Sequence, residues 1–173
     1  MEGPGNIGGR LNAIAQDPFD SNHILAGSAA GGLFGTSDGG SNWSPLTDDF
    51  AWMAMGSITF HPSQEGVVYI GSGDPQISSH PRLGDGVHRS NDGGASWTHL
   101  GLDSARIVSK ILVLEDSPEI VMAATMGNPA VKGPDRGLYR SVNSGTTWDQ
   151  VLLPSDSAGV NDIAYDSSTG IMI

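Results

Sequence analysis

Two groups of residues in this chain could do chemistry. The first is an eight-residue pattern met three times: Thr36-Ser37-Asp38-Gly39-Gly40-Ser41-Asn42-Trp43, Ser90-Asn91-Asp92-Gly93-Gly94-Ala95-Ser96-Trp97 and Ser141-Val142-Asn143-Ser144-Gly145-Thr146-Thr147-Trp148. All three fit S/T-x-D/N-x-G-x-x-W. A carboxylate so placed could ligate a metal or serve as a catalytic acid, but its neighbours describe a tight turn. An Asp or Asn side chain accepts bonds from main-chain N–H groups just ahead, and Gly40, Gly94 and Gly145 supply positive φ. The Ser/Thr hydroxyl caps the same turn and the Trp ring tucks under the hairpin. The third copy keeps everything else while carrying Asn143. We therefore read Asp38, Gly40, Trp43, Asp92, Gly94, Trp97, Asn143, Gly145 and Trp148 as structural, and expect no catalytic residue among them.

The second group is the stretch Ser72–Asp85, with Asp74, His80, Arg82 and Asp85, together with Trp52. Trp52 lies outside the repeated pattern. Its ring could stack on a sugar or on a partner's apolar side chain, or it could pack at the entry to a strand. His80 with Asp74 and Asp85 could bind a divalent cation, yet the spacings match no recognised ligand pattern. Solvated loop polarity is the expectation, with no metal and no cofactor. Met53, Met55, Met122 and Met126 read as packing.

The elements that position these groups follow from the repeat. Trp43, Trp97 and Trp148 stand about 50 residues apart, a period that signals a repeat architecture. Four short strand-like runs fall in each period. The first offers Leu11–Ala15, His23–Ala26, Gly32–Thr36 and Trp43–Leu46. The second offers Gly56–Phe60, Val67–Gly71, Gly86–Ser90 and Trp97–Leu100, and the third Lys110–Leu114, Ile120–Ala124, Gly137–Ser141 and Trp148–Leu152. Four antiparallel strands per repeat make a propeller blade. The fold class is all-β: a β-propeller with blade one at about 8–48, blade two at about 52–101, blade three at about 106–153 and the start of a fourth at about 159–173. That is about three and a half blades, a partial propeller, so the remaining blades or another polypeptide are expected partners.

Strand order also fixes the faces. In a blade a-b-c-d the repeated pattern is the c–d turn and shares its end with the a–b turn. The b–c loops and d–a crossovers lie at the other end. Both Ser72–Asp85 and Thr125–Arg136 are long b–c connections, and long loops on one face are where function concentrates. Trp52, Asp74, His80, Arg82 and Asp85 are therefore the candidate binding residues.

Composition excludes several classes. Eight Lys+Arg against 19 Asp+Glu give a net charge of −11, opposite to what nucleic acid or an anionic lipid surface demands. No cysteine is present, so disulfides and thiolate metal sites are excluded. No stretch reaches the ~18 apolar residues of a membrane span. Met1-Glu2-Gly3-Pro4-Gly5 lacks the basic and apolar regions of a signal peptide, so export would require a signal removed upstream.

Gly3-Pro4-Gly5-Asn6-Ile7-Gly8-Gly9-Arg10, the Asp17-Pro18 turn and Leu25-Ala26-Gly27-Ser28-Ala29-Ala30-Gly31-Gly32-Leu33-Phe34 resemble the first blade of secreted bacterial BNR/Asp-box propellers. Tyr69-Ile70-Gly71-Ser72-Gly73-Asp74 and Gly84-Asp85-Gly86-Val87 fit the same pattern. These propellers are similar to the sortilin (VPS10-type) propeller and glycosyl-hydrolase-like. The resemblance covers essentially the whole chain. It implies a secreted or cell-surface bacterial module for protein or glycan binding, within a larger exported protein that can be type IX secretion cargo. The related xyloglucan-cleaving propellers carry a catalytic Asp within A-R-T-D-I-G-G. Aligned on the glycines, this chain reads Ala26-Gly27-Ser28-Ala29-Ala30-Gly31-Gly32, with Ala29 in place of the acid. No arginine-rich sialidase signature precedes the first Asp box. The chain itself is thus expected to bind rather than cleave, the alternative being an Asp-box glycoside hydrolase completed by further blades. An assembly factor resembling the photosystem stability propellers would use basic patches, which the acidic balance disfavours.

Overall fold

The structure is a computed structural model that describes residues 9–76 and 80–172. Three antiparallel sheets of four strands follow one another along the chain, each a simple meander. Blade one holds β1 (Leu11–Gln16), β2 (Ile24–Ser28), β3 (Leu33–Thr36) and β4 (Ser44–Pro45). Blade two holds β5 (Met55–Phe60), β6 (Val68–Ser72), β7 (Val87–Ser90) and β8 (Thr98–His99). After a 3₁₀ turn at Asp103–Ala105, blade three holds β9 (Val108–Val113), β10 (Val121–Thr125), β11 (Gly137–Ser141) and β12 (Asp149–Leu152). A two-stranded sheet, β13 (Tyr165–Asp166) with β14 (Ile171–Met172), begins a fourth. The chain is a partial β-propeller.

What sets the blades face to face is alternation along the second strand. Side chains of a strand alternate between faces, so the run Val67-Val68-Tyr69-Ile70 serves two interfaces at once. Val68 and Ile70 pack with Leu25, Leu33, Met55, Ile58 and Phe60 against blade one. Val67 and Tyr69 pack with Val108, Ile111, Val121 and Ala123 against blade three. In β10 the division repeats, with Met122 and Ala124 meeting Ile163. A strand buried on both faces reads as a continuous apolar run, and β6 and β10 are buried throughout. Glycine permits the close approach of the next blade. A Cβ on Gly71 would lie 2.6 Å from Val108 Cγ1, and one on Gly27 would lie 2.8 Å from Met55 Cβ.

Two expectations are corrected. Trp43–Leu46 and Trp97–Leu100 were expected as outer strands; the strands proper are Ser44–Pro45 and Thr98–His99. Leu46 N–H and Leu100 N–H extend the ladder to Leu33 O and Val87 O, while the tryptophans lie outside it. An outermost strand has one neighbour, Pro45 has no N–H to donate, and the tryptophans belong to the turns instead. The fourth blade was expected to begin as a strand over Gly159–Tyr165. Instead Val160 runs beside β10, its N–H donating to Thr125 O at 3.0 Å and its carbonyl accepting from Ser109 Oγ at 2.9 Å.

Candidate binding face

The Asp boxes define one end of the molecule. In blade two, Asp92 Oδ1 accepts from Ser90 Oγ at 2.7 Å and from Ser96 N–H at 2.8 Å, while Ser90 Oγ accepts from Gly94 N–H at 2.8 Å. Asp38 repeats this with Thr36 and Asn42, and Asn143 with Ser141 and Thr147. Accepting several donors holds the Asp38 and Asp92 carboxyls at about 2, led by the Asn42 side chain in one and the Ser96 hydroxyl in the other. Each box is tied to the a–b turn of its own blade through Gly39 N–H to Asn22 O, Gly93 N–H to Gly66 O and Ser144 N–H to Glu119 O. Trp148 donates to Leu100 O at 2.9 Å in the preceding blade. Trp43 donates only to Gly40 O of its own box and stays half-exposed.

At the opposite end the b–c loops are bonded to the crossovers. Gly32 N–H donates to Met53 O at 2.7 Å, Gly73 N–H to Ala54 O at 2.7 Å and Gly84 N–H to Arg106 O at 2.6 Å. Short backbone bonds of this kind fix the loops to each other before any ligand arrives. Trp52, on the crossover into blade two, is 36 % exposed and lines a groove together with Ala30, Met53 and, from the b–c loop, Arg82 and Leu83. A lining that includes an indole and a guanidinium offers both an apolar plate and hydrogen-bond donors.

The structure separates the other candidates. Asp74 is buried, paired with the Arg10 guanidinium, and accepts from Asn12 Nδ2 at 3.1 Å and Gln76 N–H at 3.0 Å. Asp85 turns away to Ser72 and His88, with His88 Nε2 at 2.9 Å. Burial would raise the Asp85 carboxyl, but the bonds from His88 and Ser72 outweigh it and hold it below the usual range. His80 is exposed on the loop. Asp74 and Asp85 are thus engaged by different partners, Asp74 by Arg10 and Asn12 and Asp85 by Ser72 and His88.

Beside Asp74, at the starts of the inner strands, lies a pocket of about 350 Å³ lined by Asn12, Ser57, Gln76, Ser109, Lys110 and Asp162. Its walls are side chains from successive blades. Ser57 Oγ accepts from Ile111 N–H at 2.9 Å and Thr59 Oγ1 donates to Ile111 O at 2.7 Å, which join β5 to β9. Ala29 is buried in the first b–c turn, its N–H donating to Arg10 O at 3.0 Å. The arginines do not converge. Arg10 holds Asp74, Arg89 stacks over Tyr69 at 5.7 Å, and buried Arg136 closes its own loop by donating to the carbonyls of Asn128, Val131 and Gly133.

Residues that sequence reasoning missed are Asn12 and Lys110 at the pocket, and His88 and His99 beside Asp85. The last two flank the second Asp box on the strands that the box joins, a signal available from the hairpin register alone.

No family model matches the chain. A sialidase of Vibrio cholerae is 27% identical over 166 residues, covering 79% of this chain and 21% of that protein. A probable oligoxyloglucan-reducing end-specific xyloglucanase of Neosartorya fischeri is 26% identical over 137 residues, covering 76% of this chain and 16% of the relative. The crystal structure of an ancestral GH74 enzyme superimposes with a TM-score of 0.73 at 18% identity, over 94% of this chain and 21% of that one. The chain is similar to these two glycoside hydrolases and shares the propeller fold of the solved GH74 structure. It spans about a fifth of the length of these curated relatives or less. Among the described residues no helix is long and apolar enough to cross a membrane.

Proposed function

We propose that this BNR propeller segment recognises a glycan on its b–c loop face and does not cleave it unaided, within an exported bacterial protein of the sortilin-like kind. The observation that carries the reading is the groove whose lining includes both Trp52 and Arg82. Sugar rings present C–H faces to an indole and hydroxyls to a guanidinium, so the pair suits a glycan better than an extended apolar peptide. Cleavage of a xyloglucan by the usual route needs two carboxyl groups flanking the scissile bond. Ala29 stands where the related xyloglucanases carry one, and Asp74 is buried against Arg10 and Asn12. The names of the relatives, a sialidase and a xyloglucanase, support a glycan as the ligand class.

A hydrolase completed by further blades is the second reading. It is favoured by the pocket at the inner strands, whose far wall is Asn161 and Asp162. Further blades or another polypeptide would also cover the flank of blade one, where Leu11 is 55% and Ile14 67% exposed. Surface localisation, with type IX secretion as one route, is tested by fractionating the producing bacterium.

Calorimetry with xyloglucan oligosaccharides and sialylated glycans tests the binding. One of these classes should bind, and Trp52→Ala should weaken it about tenfold, the loss of roughly 1.4 kcal/mol of stacking. Unchanged affinity in Trp52→Ala would move the site elsewhere.

A further inference from the structure

We infer that Asp85, His88 and His99 form a binding site for a divalent first-row transition metal of the zinc class. The site is built by the second Asp box, which closes the hairpin of β7 and β8 so that His88 and His99 stand directly opposite each other. Cross-strand partners share a face of the sheet, so both imidazoles project the same way. Their ring centroids are 4.9 Å apart.

Asp85 arrives from the b–c loop and is held by Ser72. Ser72 Oγ accepts from Asp85 N–H at 2.8 Å and Gly86 N–H at 2.9 Å, and donates to the Asp85 carboxylate at 3.1 Å. Gly86, at φ +109, lets the chain turn into β7 where a Cβ would lie 2.0 Å from Gly101 O. Loop and crossover are thus locked together around the three side chains.

Both histidines turn Nε2 toward Asp85. His88 Nε2 is 2.9 Å from its carboxylate, and His99 Nε2 is 2.8 Å from its carbonyl oxygen. Both Nε2 atoms are engaged in this network, His88 with the carboxylate and His99 with an acceptor-only carbonyl, so metal binding replaces their protons and turns the same nitrogens onto the ion.

The three ligand atoms lie within 4.8 Å of one another. Tetrahedral zinc with bonds near 2.0–2.1 Å holds its ligand atoms about 3.3 Å apart, so a small inward rotation completes the set. That rotation falls to His99, whose side chain is 38% exposed, while His88 is fixed by burial and by Phe50, whose ring centroid is 4.9 Å away. Asp85 is 30% exposed, which opens the site to solvent. Asp103 lies 3.4 Å from His99 Nε2 and offers a further oxygen. Two imidazoles and a carboxylate suit zinc, cobalt or nickel better than calcium or magnesium, which take oxygen ligands.

The experiment titrates cobalt(II), then zinc, into the chain freed of any polyhistidine tag. One equivalent of cobalt should give the intense visible bands of a low-coordinate site, and zinc should abolish them. The exposed variant His99→Gln keeps the fold. It should weaken zinc by more than the roughly 10–100-fold that loss of an outer-shell partner costs. His23→Gln, a histidine paired with Asp17 at the opposite end, should change nothing. Absence of a cobalt spectrum at millimolar metal would overturn the inference. So would zinc affinity that survives His99→Gln within twofold.

Discussion

Replacing Asp92 by alanine tests the reading of the Asp box as an architectural turn. The carboxylate accepts from Ser90 Oγ at 2.7 Å, Ser96 N–H at 2.8 Å and Ser96 Oγ at 2.5 Å. Asp92 is exposed, so water replaces part of what alanine removes, and each bond counts at the low end of its range. Ser90 is 1% exposed, and its hydroxyl loses its acceptor. The sum is about 1–2 kcal/mol, close to the loss of a helix N-cap. For a chain of this size that lowers the thermal midpoint by about 2–8 °C. Asp92→Asn is the informative partner. Asn143 already performs the role in blade three, accepting from Ser141 Oγ at 2.8 Å and Thr147 N–H at 2.9 Å. The Asn variant should therefore stay within about 0.5 kcal/mol of the parent. The sign with pH follows from the carboxyl, which is lowered from 3.8 to about 2 by the Ser96 and Ser90 hydroxyls and the Ser96 N–H. A folded value below the unfolded one stabilises fully above about pH 4, and that advantage is lost as pH falls toward 2. Denaturant unfolding at pH 7, 4 and 2.5 should show the parent's lead over Asp92→Ala shrinking between the last two. Equal stability of parent and Ala variant at pH 7, or an Asn variant as damaged as Ala, would refute the reasoning.

Further outcomes are expected. Gly71→Ala should destabilise by about 1–3 kcal/mol through its clash with Val108, whereas Gly133→Ala, with nothing within 4 Å, should stay within about 0.5 kcal/mol, both read by thermal unfolding. Ser144 sits at φ 55 where the other boxes have Gly39 and Gly93, so Ser144→Gly should be neutral or stabilising by up to about 1 kcal/mol. Arg136→Ala should open the 125–136 loop, giving cleavage there by a broad-specificity protease that the parent resists. Xyloglucan, sialylated and mixed-linkage substrates should show no cleavage above blank. Hydrolysis that disappears in Asp74→Asn would replace binding with an unrecognised active site.

The fold was legible because its signals are local. Each Asp box closes its own hairpin with bonds spanning two to four residues, and the continuous apolar runs of β6 and β10 announce burial on both faces. The outer strands of blades one and two start one residue later than expected because Trp43 and Trp97 belong to the turns. Ile163 of the fourth blade is 5% exposed, covered by Met122 and Ala124, whereas Leu11 and Ile14 on the flank of blade one stay open at 55% and 67%. The site was less legible because its bonds are long-range. Arg10 and Asp74 lie 64 positions apart, and Asn12 and Asp74 62. Asp74 and Asp85 belong to one loop in the sequence, yet Arg10 and Asn12 engage the first and His88 the second, all from outside that loop.

These partners also separate the roles of the two ends. At the Asp-box end, glycines, capped hydroxyls and turn-to-turn bonds satisfy the backbone of the turns. At the other end, loop-to-crossover bonds fix the backbone, while Trp52, Arg82, Lys110 and Asp162 keep their side chains toward solvent or the pocket. Rigid backbone with accessible side chains lowers the ordering cost that a ligand must overcome. Recognition therefore belongs on the b–c loop face, and the same physics that makes the boxes easy to find in the sequence makes them poor sites for chemistry.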